Sequence, residues 1–397
     1  MLRVSPATIL DPRLAFVAFV LVFFGPWFPL MEADEVVIVL CGALYFLTGS
    51  LLPGKSRQIR WPDCRPRYGL VLAILGYKAF ALAHSLGFDF SLEAIVAMLI
   101  QSSIAQKENV AASIVINALV SLLLWSCLIG ICQRGRLAVA IVVLLVYQVL
   151  SLQTGRFLLV SQIGLLLVVH HQIHRRTFNG ALLAALLVAL ALSFPFLHAV
   201  RTGEMTSGNA DIYSADYVRG IMSADASPGL NFLDLVRHVE DQGVDHGRFV
   251  LLAPAQFVPR ALWAEKPTTS QQAHYTYQIF GLDHLDGVSF TFTIFDSYAW
   301  FGLASLAAAC LLWGALFTKL YRGFLGSKSL YLRIQLGLLT VNAFNFYRGS
   351  VLDFAAPIVL SLFIAWGLDR LGLLRASTPR QRRLPAVWQQ LSEGAVK

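Results

Sequence analysis

The chain has 397 residues, of which 57% are hydrophobic and only 14% charged, with a formal net charge of +8. Soluble domains carry about 25% charged residues, so this composition excludes a soluble fold, and with it disorder, coiled coil and collagen. Five cysteines (Cys41, Cys64, Cys127, Cys132 and Cys310) form no CxxC pair and no metal-ligand cluster. Neither a zinc site nor a disulfide framework is therefore expected, and no metal or other cofactor is implied. The basic residues read as signals of membrane topology rather than as a nucleic-acid surface.

A membrane-spanning helix needs about 20 mostly apolar residues. Ten runs qualify, at 14–30, 36–53, 68–86, 110–132, 137–153, 157–173, 179–198, 293–317, 330–347 and 351–368. Pro26 and Pro29 flank the first run without a small-residue cleavage pattern, so no cleavable signal peptide is expected. Lys and Arg concentrate in and around 1–13, 54–67, 133–136, 174–178, 318–329 and the tail from 369, a group that includes Arg333 just inside the ninth run. The positive-inside rule then places both termini in the cytoplasm. The expected fold is an all-α polytopic membrane protein of ten spanning helices, with a basic cytoplasmic tail at 369–397 and one large outer loop at 199–292, between helices seven and eight. Loops of that length are usually functional.

Within the loop, Ser227 as cap and Pro228 at the first helical position predict a helix over 227–242. Phe232, Leu235, Val236 and Val239 share one face of it, and Asp234, Arg237, His238 and Asp241 the other. Such an amphipathic helix lies on the membrane interface or covers the helix ends. The following run, Phe249–Trp263, is apolar but broken by Pro254 and Pro259, which predicts an interfacial or re-entrant piece rather than a span.

Four arginines stand at outer helix ends, where the positive-inside rule disfavours them: Arg156 in Thr154-Gly155-Arg156, Arg201 in Arg201-Thr202-Gly203-Glu204, Arg260 in Pro259-Arg260-Ala261-Leu262-Trp263, and Arg348 in Phe346-Tyr347-Arg348-Gly349. Such cations either pair with acids such as Glu204, Asp296 or Asp353, or bind an anionic ligand. Arginine forks hold phosphate oxygens bidentately and stay charged. Lys78 and His84 add ionisable groups within helix three. His170, His171 and His174 sit beside Arg175 and Arg176, where a basic helix flank is expected, and a metal site there is disfavoured.

The segment PRALWAEKP at 259–267, followed by SFTFTIFDSYAWFG at 289–302, resembles bacterial oligosaccharide repeat-unit polymerases of the Wzy type, which make O-antigen and exopolysaccharide. Gly155-Arg156, Arg201 and Arg348-Gly349 fall in the same order as arginines of that family, and the resemblance covers about residues 150–350. Arg-x10-Gly repeats described in some members are absent, the Arg219–Gly229 and Arg237–Gly247 spacings being one residue short.

The resemblance implies an architecture shared with O-antigen ligases and related membrane glycosyltransferases of the GT-C type. It implies a metal-independent transferase of the bacterial inner membrane whose substrates are undecaprenyl-pyrophosphate-linked oligosaccharides. A chain-length regulator and a flippase would be partners. Arg156, Arg201, Arg260, Lys266 and Arg348 would stabilise the leaving diphosphate, Glu204, His246, Glu265 or Asp353 would serve as base, and Trp263, Tyr275, Tyr277, Tyr298 or Trp300 would stack on sugar rings. Three other classes compete: a metal-dependent lipid-phosphate-sugar transferase using Glu32-Ala-Asp34, an O-antigen ligase, and a transporter or flippase.

Overall fold

The computed structural model describes residues 11–51, 59–89, 91, 110–151, 156–174, 214–258, 262–263, 265–267, 270–282, 292–349, 352 and 354–371, and contains no strand among them. The expected seventh span at 179–198 and the tail beyond 371 lie outside the described residues.

Helix α1 (Pro12–Phe23) starts because the Asp11 carboxylate accepts the Arg13 N–H at 3.0 Å and Pro12 takes the first position. It stops well short of residue 30. Pro26 has no N–H to continue the ladder, and the apolar run ends in a turn and a short 3-10 segment, Phe28–Leu30. The first span of 14–30 is corrected accordingly. Then follow α2 (Ala33–Ser50), α3 (Tyr68–Ser85), α4 (Val110–Gln133), α5 (Leu137–Leu150) and α6 (Arg156–His174), each close to an expected run. Four helices are long and apolar enough to cross a membrane: α2, α3, α4 over Val115–Gln133, and α11 (Leu303–Gly326), while α1, α5 and α12 (Leu330–Val341) are shorter apolar helices. The protein is thus a helical, membrane-embedded protein.

Between α6 and α11, the described residues from 214 to 301 form a layer of their own. Helix α7 (Ala215–Gln242) is followed by the short α8 (Arg248–Leu252), a 3-10 segment Ala253–Phe257, α9 (Gln271–Phe280), a 3-10 turn Ile294–Ser297 and the single turn α10 (Tyr298–Phe301). Two expectations fail here. Pro228 does not open α7 but lies inside it, well downstream of its start at Ala215. The eighth span does not begin at 293, because Gly302 (φ 66°) breaks the chain between α10 and α11.

The core is built on a glycine-lined contact of α2 with α11, the most extensively packed pair. Gly314 meets the Phe46 carbonyl, the Thr318 hydroxyl donates to the Ser50 carbonyl at 3.4 Å, and Gly42 faces the Phe295 ring, so the two helices run parallel. Small residues let helix backbones approach closely in a membrane, where packing rather than water drives association. The bundle continues from α11 to α12, from α12 to α14 (Ala355–Leu371), and from α14 to α4, which holds α3, α5 and α6.

The expected ninth span at 330–347 is also broken. Asn342 interrupts it between α12 and α13 (Ala343–Arg348), and its side-chain amide donates to the Leu338 carbonyl at 2.9 Å. Tyr347 anchors α13 in an aromatic cluster, with its ring 5.3 Å from those of Phe16 and Phe46 and 5.0 Å from Phe317.

At the end of the bundle away from the loop layer, Arg333 is fully buried. Its Nε donates to Phe324 O at 2.8 Å, Nη1 to Arg60 O at 3.2 Å, and Nη2 to Ile59 O at 2.8 Å and Leu325 O at 3.3 Å. The guanidinium also stacks 4.1 Å from the Trp61 ring centroid. Trp61 donates to Gln172 at 2.7 Å, Gln133 clamps Pro62 O and Cys64 N–H at 2.7 Å each, and Asp369 accepts the Tyr331 and Leu332 N–H groups at the start of α12. Arg333, counted with the topological signals, is in fact a strut that fixes segment 59–67 beneath α11 and α12.

Candidate functional site

The loop layer is fixed on the bundle by an apolar face and one ion pair. Phe232, Leu235, Val236 and Val239 of α7 are buried, with the Phe232 ring 6.0 Å from Phe24 and 5.8 Å from Phe295. The amphipathic face therefore packs on the bundle and not on lipid. On the opposite face, Arg237 Nε donates to the buried Glu35 at 3.0 Å, with Asp234 3.7 Å from its Nη1. Glu35 also accepts the Glu32 N–H at 3.0 Å. The Glu32-Ala-Asp34 pair thus opens α2, where the helix dipole favours negative charge. Glu240 joins this acidic group, and burial together with Asp34, Glu35, Glu32 and Asp241 raises its carboxyl above the usual range.

Asp245 is the hub that ties the loop helices together. Its N–H donates to Ala299 O at 2.8 Å, Oδ1 accepts the Gly247 N–H at 2.8 Å, and Oδ2 accepts the Tyr275 hydroxyl at 2.7 Å. His246 between them adopts φ 56°, a left-handed conformation rare for a residue with a side chain, next to Gly247 at φ 74°. The Tyr275 phenol is pushed well above its ordinary pKa by burial and then by Asp245. The ring of His274 lies 5.1 Å from that of Phe249, and burial followed by the Arg248 charge lowers its pKa.

Below this hub lies a buried amide layer. Gln271 Nε2 donates to Asp296 O at 3.0 Å, and Gln271 Oε1 accepts the Trp300 indole N–H at 3.1 Å. A Cβ on Gly349 would come within 2.7 Å of Gln272 Nε2, so the turn after α13 is pressed against α9. Arg348 ends α13 at that turn, half-buried, with its Nε in the interior. Asn345 donates to Asn342 at 3.2 Å and fixes the break above which Arg348 is carried. Arg348 thus ends the broken helix at the turn where Gly349 meets α9 of the loop layer. Broken helices at membrane depth occur where the backbone is buried in protein or lines a cavity.

The expected site residues separate into groups. Arg201, Glu204, Arg260 and Asp353 lie outside the described residues, as does the side chain of Arg156, whose backbone opens α6. Lys266 donates its Nζ to Val258 O at 3.0 Å, and its N–H bonds Trp263 O at 3.2 Å, closing a turn that leaves Trp263 exposed. His246 is exposed in its turn, 6.3 Å from the Phe301 ring. Burial raises the phenol pKa of Tyr298, and so do the carboxylates of Glu240 and Asp34. Tyr275 and Trp300 spend their polar atoms on Asp245 and Gln271 and are buried, whereas Tyr277 remains exposed for stacking. Sequence reasoning missed Gln271, Gln272, Asn342 and Asn345, and the only signal for the last two was polar residues inside an apolar run. No protein-family model, no curated protein and no solved structure matches this chain.

Proposed function

We propose that the protein is a metal-independent glycosyltransferase that polymerises oligosaccharide repeat units carried on undecaprenyl pyrophosphate. The acceptor's terminal sugar hydroxyl oxygen bonds to the anomeric carbon of the donor chain. The bond from that carbon to the diphosphate oxygen breaks, its electron pair leaves with undecaprenyl pyrophosphate, and the hydroxyl proton passes to a base. The observation that supports this reading is the placement of Arg348 at a helix break under the loop layer, where a fixed cation stabilises the developing diphosphate charge. Asp353, in the short connection from Arg348 to α14, and Glu204 are the candidate bases, while Arg156, Arg201 and Arg260 complete the cation set in this proposal.

The test is deletion in the host, complemented with wild type or Arg348→Ala, with extracted lipopolysaccharide and exopolysaccharide resolved on a gel. Deletion is expected to leave single repeat units. Arg348→Ala is expected to reach the membrane yet lower polymerisation by about 10²–10³-fold. Long chains retained on the carrier lipid would instead indicate a ligase, and an unchanged glycan would sink the proposal.

A further inference from the structure

Helix α3 differs from the other long apolar helices. Only 11% of it is buried, against 39% for α2, 56% for α4 and 44% for α11. Leu72, Tyr77 and Phe80 stand exposed on it, as side chains bathed in lipid do. Its one lysine is half-buried. Lys78 reaches across to the neighbouring helices, where Nζ donates to the exposed Asn117 Oδ1 of α4 at 3.0 Å and lies 5.7 Å from the Tyr147 ring centroid of α5. Three helices meet at this ammonium, and both of these partners are neutral. Among the described residues no carboxylate pairs with Lys78. An ammonium has three N–H donors, and Asn117 takes one.

The depth of the group is informative. Arg67 and Cys64 place the start of α3 by the Arg333 clamp, so its other end points toward the loop layer. Lys78 lies about 10 Å below that end at 1.5 Å rise per residue, within reach of the headgroup boundary for a snorkelling lysine. Ionisable residues within membrane helices are costly and usually have a charge partner or a function.

We propose that Lys78, held by Asn117 and Tyr147, forms a lateral site for the phosphate group of a membrane lipid, whose chains lie along the exposed face of α3. Two sources share this chemistry, an isoprenoid phosphate and an ordinary anionic phospholipid. The site does not rest on the transferase reading, and its test has no enzymatic readout.

The full-length protein, purified in detergent, is examined by native mass spectrometry with undecaprenyl phosphate, phosphatidylglycerol or a diacylglycerol of the same chains. Wild type is expected to retain a phosphate lipid about fivefold more than diacylglycerol. Lys78→Gln, which can still donate to Asn117, is expected to lose that preference, and Lys78→Arg to keep it. Stronger retention of undecaprenyl phosphate than of phosphatidylglycerol assigns the site to an isoprenoid carrier, and equal retention assigns it to bulk phospholipid. Undiminished phosphate-lipid retention by a folded Lys78→Gln overturns the proposal. Should Lys78→Gln not fold, equal retention of phosphatidylglycerol and diacylglycerol by wild type overturns it.

Discussion

The two ends of the bundle each carry an arginine from the same stretch of chain, and they use it differently. At the end away from the loop layer, Arg333 is fully buried, and four backbone carbonyls and an indole ring surround its guanidinium. Nearly all its hydrogen-bonding capacity is spent on its own chain, so it has little to offer a ligand. At the other end, Arg348 is half-buried at a helix break, next to a glycine turn pressed on Gln272. A cation consumed by carbonyls is a strut, whereas Arg348 sits half-buried where the end of the broken helix meets the loop layer. Sequence position alone separates them poorly, since both lie at the ends of one expected span.

Several substitutions would break or sharpen this contrast. Arg333→Leu strands the carbonyls it bonds and should cost about 3–5 kcal/mol, seen as a large drop in Tm in detergent. Arg348→Leu, at a half-buried position, should cost less than Arg333→Leu, and an equal loss at both sites would collapse the comparison. Gly314→Val drives a side chain into the Phe46 backbone and should cost about 1–3 kcal/mol by overpacking, read as a lower Tm without selective loosening of either end. Tyr275→Phe removes one donor from Asp245 and should cost about 1 kcal/mol. Hydrogen exchange should then rise in α9 and stay fixed in α12.

The smallest effect is a pH dependence confined to the loop layer. Burial and Arg248, with a lesser push from His238, lower the folded-state pKa of His274 from 6.5 against the pull of Asp245. The unfolded or loosened state therefore binds the proton more readily, so stability falls as pH drops from about 6.5 through the folded pKa. Above that range the group contributes no slope. Hydrogen exchange in α9 should quicken on acidification, and His274→Gln should flatten the response. A response of equal size in α12 would show that the two ends are not independent.

Much of the bundle was legible because a continuous apolar run has few ways to sit in a membrane. The runs at 68–86, 110–132, 137–153 and 157–173 match α3 to α6 within a few residues. The breaks were not legible. Asn342 has no backbone handicap of the kind proline has, and it interrupts the helix through its tertiary setting and a bond to Leu338 O. Pro228 misled in the other direction. It looked like a helix start, yet α7 continues through it, with Gly229 beside it admitting the close approach of Phe23 O and Trp27. The apolar face over 232–239 was read correctly, while its partner stayed open between the membrane interface and the helix ends, because periodicity reports that a face is buried and not what buries it. The site was legible only in part. Arg348 and its turn stood out by charge and position, whereas Gln271, Gln272 and the Asp245–Tyr275 bond join residues far apart in sequence that carry no spacing signal.

The parallel contact of α2 with α11 has a consequence for how the protein is made. Its two halves, Ala33–Ser50 and Leu303–Gly326, leave the ribosome some 250 residues apart. For most of translation the glycine seam of α2 must wait in the bilayer, facing lipid or a chaperone rather than its mate. The bundle can close only after nearly the whole chain has been inserted. Truncation anywhere before α11 therefore removes the keystone as well as the distal helices, and early release of the nascent chain would yield a protein with an open seam rather than a smaller stable bundle.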